Sequence, residues 1–375
     1  MDWRQELKHN ITTAEELRMH IPMSDEEFAA VKQVSSTYPM SIPLYYLALI
    51  DKDDPQDPIR KMCVPAALEA DSSGRTDTSG ETSNTVMNGL QHKYSKTAMV
   101  LSTNICAMYC RHCFRKRMVG ISDDETAKML SNISEYIGKT KCIDNVLLSG
   151  GDSLLNSNWI IDQMLSDLTA MDHLNLIRFG TRIPVVMPSR IYGDQELLKL
   201  LRKHTEKKQL YVVTQFNHPH EFTDESYRAV RALRDCGVVI SNQTVLLRGV
   251  NDKPETLSGL MNCLTRFGVV PYYVFQCRPV LGVKERFQVP LLSAVDIIED
   301  AKAMLNGHAK RFKYVMSHET GKLEILARLG QDKILLKYHQ AKSPDNAGRI
   351  LTIKLDSDQC WIDEITVSYT HLTLP

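Results

Sequence analysis

The stretch TAMVLSTNICAMYCRHCFRKR, residues 97–117, decides how the chain reads. Its opening, TAMVLST (97–103), is a mostly apolar run of the length of a buried strand. Directly after it come Cys106, Cys110 and Cys113, spaced CX3CX2C, so the three thiols fall in the loop at the strand's C-terminal end. Structural zinc normally takes four ligands in paired knuckles, and no second cysteine pair accompanies these three. Three thiolates on one short loop suit three irons of a [4Fe–4S] cube, with the fourth iron open to an outside ligand. The spacing leaves both readings standing, with the cube the better match to three ligands.

Moving outward, similar apolar runs recur at NVLLS (145–149), LIRFG (176–180), LYVVT (210–214), VVISN (238–242), PYYVFQ (271–276) and FKYVMS (312–317). They lack polar alternation, which is how parallel strands buried on both faces read. Helical patterns lie between them. Ser122 and Glu125 form a capping box before Leu130, Ile133 and Ile137, with Gly138 as the stop. Thr223 caps a helix expected to turn Tyr227, Val230 and Leu233 inward and to end at Gly237. Leu291, Ala294, Ile298, Ala301 and Leu305 form a third apolar stripe, closed by Gly307. Six or more such βα units give an α/β barrel or a doubly wound sheet. The latter needs a glycine-rich phosphate turn after its first strand. None is present, so the pattern predicts an α/β barrel, open or closed, with its chemistry at the C-terminal strand ends.

Residues 1–95 read as a helical and irregular extension, in which Ser24 caps a helix with Glu27 three positions on. ADSSGRTDTSGETSN (70–84) is almost devoid of apolar residues and is expected to be a solvated loop. The last residues, 367–375, do not continue the preceding pattern and are expected to be a non-native tail.

Composition excludes other classes. The 375 residues carry 45 Lys+Arg against 45 Asp+Glu, and this neutrality argues against electrostatic nucleic-acid binding. The basic run Arg115-Lys116-Arg117, beside His112, is too short to reverse that. No stretch reaches the roughly 20 apolar residues of a membrane span. The N-terminus lacks an apolar signal core. Nine cysteines, an odd number with six standing singly, fit reduced thiols in the cytoplasm better than a disulfide framework.

The motifs then converge. CX3CX2C after the first barrel strand resembles the signature of the radical S-adenosyl-L-methionine (SAM) superfamily, and TNICAMYCRHCFRKR (103–117) resembles the lysine 2,3-aminomutase family within it. Further matches follow in order: LYYLALIDKDDPQDPIRK (44–61), LQHKY (90–94), LLSGGDSLL (147–155), FGTRIPVVMPSRI (179–191), QFNHPHEFT (215–223), SNQTVLLRGVND (241–252) and YYVFQC (272–277). The resemblance implies a partial (β/α)6-type barrel over 96–318, preceded by the extension 1–95. A small segment, 319–366, would anchor pyridoxal 5′-phosphate (PLP). It implies that Cys106, Cys110 and Cys113 hold the cluster, whose open iron binds SAM and whose electron cleaves it to a deoxyadenosyl radical. Ser149, Gly150, Gly151, Asp152, Gln215, His218 and Gln243, with Asn217 beside them, would line the SAM pocket.

The family resemblance also makes Lys322, in SHETGKLEIL (317–326), the PLP lysine. Tyr94 would lie near the PLP ring, and Arg115 would pair with the substrate α-carboxylate. The implied reaction is a 1,2 amino shift giving a β-amino acid, which makes the enzyme an isomerase, an intramolecular aminotransferase. Where lysine 2,3-aminomutases carry two aspartates for the distant ammonium of lysine, this chain has Arg278 and Val315. A guanidinium there repels a cationic side chain, so glutamate or another non-cationic amino acid is expected instead of lysine. An ion pair of Arg278 with Glu285 is the structural alternative. Zinc-binding cysteines found near the C-terminus of some members lack counterparts. A flavodoxin- or ferredoxin-type reductant and a homo-oligomer are further expectations, with neither nucleic acid nor membrane as a partner. A radical SAM enzyme without PLP, or a non-catalytic iron–sulfur or zinc protein, are the alternatives.

Overall fold

The computed structural model describes residues 3–118 and 126–362. The capping pair Ser122 and Glu125, and the tail 367–375, lie outside the described residues. The strands, in chain order, are β1 (Thr85–Met87), β2 (Leu90–Tyr94), β3 (Thr97–Thr103), β4 (Asn145–Gly150), β5 (Leu176–Gly180), β6 (Gln209–Thr214), β7 (Val239–Leu246), β8 (Val270–Gln276), β9 (Lys313–His318), β10 (Gly321–Leu329), β11 (Lys333–Ala341) and β12 (Ile350–Lys354). They form one sheet whose spatial order is the chain order. From β3 to β9 every neighbour pair is parallel. The hairpin β1–β2 joins one side antiparallel, and β10, β11 and β12 continue the other side antiparallel.

Strand order settles the choice between the two α/β architectures. A doubly wound sheet reverses its order at a switch point. Here each crossover advances the sheet in one direction, and right-handed crossovers that never reverse curl a sheet. β1 and β12 do not pair with each other, so the barrel is open.

The strands depart from the sequence expectation in one instructive way. They alternate between fully buried and half-buried residues rather than being buried on both faces. Val146, Leu148, Ile177, Phe179, Leu210 and Val212 form the buried set against the helices. The other set, Leu147, Ser149, Arg178, Gly180, Tyr211 and Val213, lines a cavity on the concave side. An open lumen replaces half of the packed core.

Helix ends follow their chemistry. Ser24 accepts from the Glu27 amide, and Thr223 from the Ser226 amide. Val230 and Leu233 are buried as expected, but Tyr227 is 40% exposed and sets its ring edge-on against Phe267. The apolar stripe from Leu291 to Leu305 is buried throughout. The segment 70–84 is only partly a solvated loop, because Thr78, Ser79, Glu81 and Asn84 are buried. Asp77 accepts from the amides of Ser79, Glu81 and Thr82, folding the segment inward. Its polar composition reflects internal hydrogen bonding as well as water. Among the described residues no helix is long and apolar enough to cross a membrane.

Candidate active site

The cavity measures about 780 Å³, toward the upper end of ordinary ligand pockets. One end is built from the loop after β3. That loop is pinned by backbone contacts: the amides of Tyr109 and Arg111 donate to Ser41 and Met62, and the Asn10 side chain donates to Ala107. Cys106, Cys110 and Cys113 line the cavity, so the structure brings these three together. No three His, Cys, Asp or Glu side chains among the described residues converge on a single-ion point. The three thiols border the open lumen. Burial pushes the thiols of Cys106 and Cys113 up, the latter to about 11. Cys110 Sγ receives a hydrogen bond from Arg182 Nη1 at 3.0 Å. A soft all-sulfur donor set around an open space fits a [4Fe–4S] cube.

Gly150 and Gly151 end β4 against this loop. A Cβ at either would overlap the backbone of Thr103 or Ile105, and Gly150 has φ +110°. The close approach expected of this glycine pair is made first to the cysteine loop. Asp152, next in line, is buried and accepts from Thr181 Oγ1 at 2.5 Å and the Arg182 amide at 2.7 Å. Ser149, Gly150, Gly151, Asp152, Gln215 and Gln243 all line the cavity. Gln215 does so just past β6, whereas Gln243 sits within β7, which runs longer than its sequence pattern suggested.

His218 departs from expectation. It is absent from the cavity wall; its ring nitrogen Nδ1 accepts from the His220 amide and caps a 3₁₀ turn, and burial lowers its pKa to about 4. Asn217, likewise off the wall, accepts from the Val245 amide through Oδ1, which turns its Nδ2 toward His112 Nε2 at 3.3 Å. His112 takes the place on the wall instead, with buried Nδ1 lacking a partner among the described residues. A wall that carries that orphaned group, the glycine pair, Gln215 and Gln243 fits a polar nucleotide such as SAM.

At the other end Lys322 is the second residue of β10, half-buried. Its Nζ lies 5.7 Å from the Tyr94 ring and 5.2 Å from the Tyr273 ring, and 3.4 Å from Gln340 Oε1. Burial, reinforced by the Arg178 and Arg278 guanidiniums, lowers its pKa to about 8. Arg178 projects from mid-β5, donates to Asn145 at 2.6 Å, and leaves its Nε without a partner. A lysine with a lowered pKa, a flanking tyrosine and an unsatisfied guanidinium fit PLP, with its aldehyde, ring and phosphate. Lys93 stands nearby, donating to the His318 carbonyl at 2.6 Å, its pKa lowered to about 7 by burial and by Arg278.

Arg115 and Arg278 flank the Phe114 ring, their guanidinium carbons 4.6 and 4.5 Å from its centroid. Arg115 Nε donates to Glu81 at 2.7 Å, and Arg117 takes the other Glu81 oxygen at 2.8 Å. Lys116 pairs with Glu69 in a buried group with Arg111 and Arg286. The basic run is thus folded into internal ion pairs. Arg278 donates to Ser317 Oγ at 2.7 Å and its Nη1 has no partner among the described residues. The alternative pairing with Glu285 does not form: Glu285 accepts from Ser73 and lies near Lys284. Val315 is fully buried in β9 and is not on the cavity wall.

Glu81, Lys93, Arg178, Arg182 and Tyr273 were not singled out from sequence as site residues. A charge in the middle of the apolar strand LIRFG was a usable signal for Arg178. Glu81 gave none, being one acid in a Ser/Thr-rich segment.

Residues 100–258 match the radical SAM superfamily model. The chain is 39% identical over 344 residues to a putative L-lysine 2,3-aminomutase of Aquifex aeolicus, covering 91% of each. It is 40% identical over 310 residues to L-lysine 2,3-aminomutase of Clostridium subterminale, covering 82% of this chain and 73% of that one. With glutamate 2,3-aminomutase of Clostridioides difficile it shares 34% over 313 residues, again 82% and 73%. The radical SAM model implies a [4Fe–4S] cluster and SAM, and the aminomutase relatives are PLP-dependent isomerases. On this likeness the chain belongs to the lysine 2,3-aminomutase family of the radical SAM superfamily.

Proposed function

We propose that the chain performs a 2,3-amino shift on an amino acid with a side-chain carboxylate, glutamate being the fit among common amino acids. The observation that carries this is the unpartnered Nη1 of Arg278, which shares the Phe114 ring with Arg115. Two guanidiniums packed on one ring suit the two carboxylates of a diacid. Six cations, Lys93, Arg115, Arg178, Arg182, Arg278 and Lys322, line the cavity against two carboxylates, Glu81 and Asp152. Such a wall favours anionic ligands and disfavours the ammonium of lysine.

In this reading Cys106, Cys110 and Cys113 hold the [4Fe–4S] cluster. Ser149, Gly150, Gly151, Asp152, Gln215 and Gln243 surround SAM, with His112 where His218 was expected. Lys322 and Tyr94 receive PLP, and Arg178 faces its phosphate. When bound, the cluster and SAM supply a hydrogen-abstracting radical, and PLP supplies the conjugated carrier for the migrating nitrogen. The protein's own residues orient and shield. Arg115, held by Glu81, fixes the α-carboxylate, and Arg278 fixes the distal one, so that the β-hydrogen has one accessible direction. Lys322, largely protonated at neutral pH but with a far larger neutral fraction than a surface lysine, exchanges its proton as the amino group enters and leaves. The sheet closes the lumen from water on the helix side.

The segments 1–95, 96–318 and 319–366 divide the work in this reading: anchoring of the cysteine loop, the barrel, and the strand with Lys322. We further propose a cytoplasmic homo-oligomer fed by a flavodoxin- or ferredoxin-type donor. Nine free cysteines support the compartment, and family membership supports the rest.

The test is to incubate anaerobically reconstituted, reduced protein with SAM, PLP and single amino acids, and to assay for β-amino acids. β-Glutamate is the expected product. Rapid turnover of free lysine with none of glutamate overturns the diacid reading.

A further inference from the structure

Arg182 is the best-anchored charge in the cavity wall. Its backbone amide donates to Asp152 at 2.7 Å, and its Nε to the Gln215 carbonyl at 3.1 Å. Its Nη2 pairs with Glu221 and meets Tyr46 Oη at 3.2 Å. Tyr46 in turn donates to the same Glu221 oxygen at 2.6 Å, and the other Glu221 oxygen accepts from the amides of Asn217 and His218. Arg182, Glu221 and Tyr46 are all buried. That leaves Nη1, which donates to Cys110 Sγ at 3.0 Å. Among the described residues, no other charged donor forms a hydrogen bond to a sulfur of the cysteine loop. The amino shift itself gives this arginine no role, since it touches neither the Lys322 end nor the two guanidiniums beside Phe114.

We propose that Arg182 is a positioning residue that raises the reduction potential of the cluster through its hydrogen bond to Cys110. Adding one electron to the cube increases its negative charge by one, with no bond made or broken. A cation and an N–H directed at a ligand sulfur stabilise the more negative form. Burial strengthens the effect by removing the screening of water. Glu221 opposes it, since a carboxylate on the far side of the guanidinium withdraws part of the positive charge. The device makes a one-electron step more accessible to a protein donor while the Gln215 carbonyl, Glu221 and Tyr46 keep the guanidinium from swinging into the lumen.

The two partners give opposite signs, which makes the inference easy to break. Anaerobically reconstituted protein is titrated with titanium(III) citrate, which gives up one electron to become titanium(IV). The reduced cluster is read by its electron paramagnetic resonance signal. Arg182→Met should move the midpoint to more negative potential, and Arg182→Lys, which keeps the charge but not the fork, should move it less. Glu221→Gln should move it to more positive potential. Iron content and far-ultraviolet circular dichroism are measured on each variant. Should Arg182→Met fail to fold, Arg182→Lys and Glu221→Gln still carry the test. Full iron with unmoved midpoints in both overturns the proposal, as does loss of iron from Arg182→Lys, which would make the role structural. The inference rests on the cysteine assignment, and wild-type protein that binds no cluster sinks that assignment instead.

Discussion

The two ends of the lumen are held by different means. The cysteine end is made of backbone: a short loop pinned by amides to Ser41 and Met62, pressed against a glycine pair, and braced by buried ion pairs around Glu69. The Lys322 end is made of side chains from strands far apart in the chain: Tyr94 from β2, Arg178 from β5 and Lys322 from β10 line the cavity, and the buried Tyr273 of β8 sets its ring near Lys322. It is also the end with guanidinium nitrogens left unsatisfied, on Arg178 and Arg278. A site fixed by its own loop can be assembled locally. A site fixed by strand register exists only when the whole sheet is formed.

The largest effects should separate the ends completely. Cys110→Ala removes one of three sulfur ligands and should abolish the iron–sulfur absorbance, while borohydride still traps a pyridoxyl label on the protein after incubation with PLP. Lys322→Ala should do the reverse, losing the label and keeping the iron. If either substitution abolishes both, the ends are one cooperative unit and the contrast fails. Retention of the label in Lys322→Ala, located by peptide mapping at another lysine such as Lys93, would move the PLP assignment.

Next in size is Arg278→Asp. Losing a buried charged contact to a ligand costs roughly 2–5 kcal/mol. That corresponds to about one and a half to three and a half powers of ten in kcat/KM for glutamate. Lysine should gain, because the reversed charge now attracts its ammonium. Steady-state assays on both amino acids decide it. Equal loss on both would mean that Arg278, through Ser317, holds β8 against β9 and does not select the substrate.

The same contrast explains what was legible in the sequence. CX3CX2C and Gly150-Gly151 announce their end because ligand spacing and backbone clearance are local properties. A barrel, open or closed, was legible from the regular recurrence of apolar strands without a phosphate turn; that it is open shows only in the strand pairing. The lumen was not: half-buried positions such as Leu147, Tyr211 and Val213 look like core residues until the curl of the sheet turns them toward a void. Glu81 was hidden for a related reason. A Ser/Thr/Asp-rich segment reads as solvated, and only Asp77 capping its turn and the pull of Arg115 and Arg117 bring it inside. His218 failed the other way, because a histidine after a strand end can cap a turn as readily as face a ligand. Lys322 was legible through family likeness, not through its own surroundings, since the strand partners that bury it come from across the sheet.

The smallest effect concerns how that distributed end tunes Lys322. Burial and the two arginines penalise the charged ammonium, so its proton leaves at about 8 instead of the usual range above 10. The neutral amine attacks the PLP aldehyde. At pH 7 about a tenth of such a lysine is neutral, against less than a thousandth for an unperturbed one. The rate of PLP loading by the folded apoprotein should therefore rise about tenfold per pH unit up to about 8 and then level off. As pH falls through about 7, Lys93 gains its own proton and adds a like charge near Lys322; that charge favours the neutral amine, so the lower limb should be shallower than tenfold per unit. Arg178→Gln removes one of the two arginine contributions, so the plateau should begin at higher pH, by a fraction of a unit since burial is the larger cause. A loading rate that keeps rising past pH 10 in the unaltered protein would mean that Lys322 is solvated in solution. The strands would then fail to build at this end what the loop builds at the other.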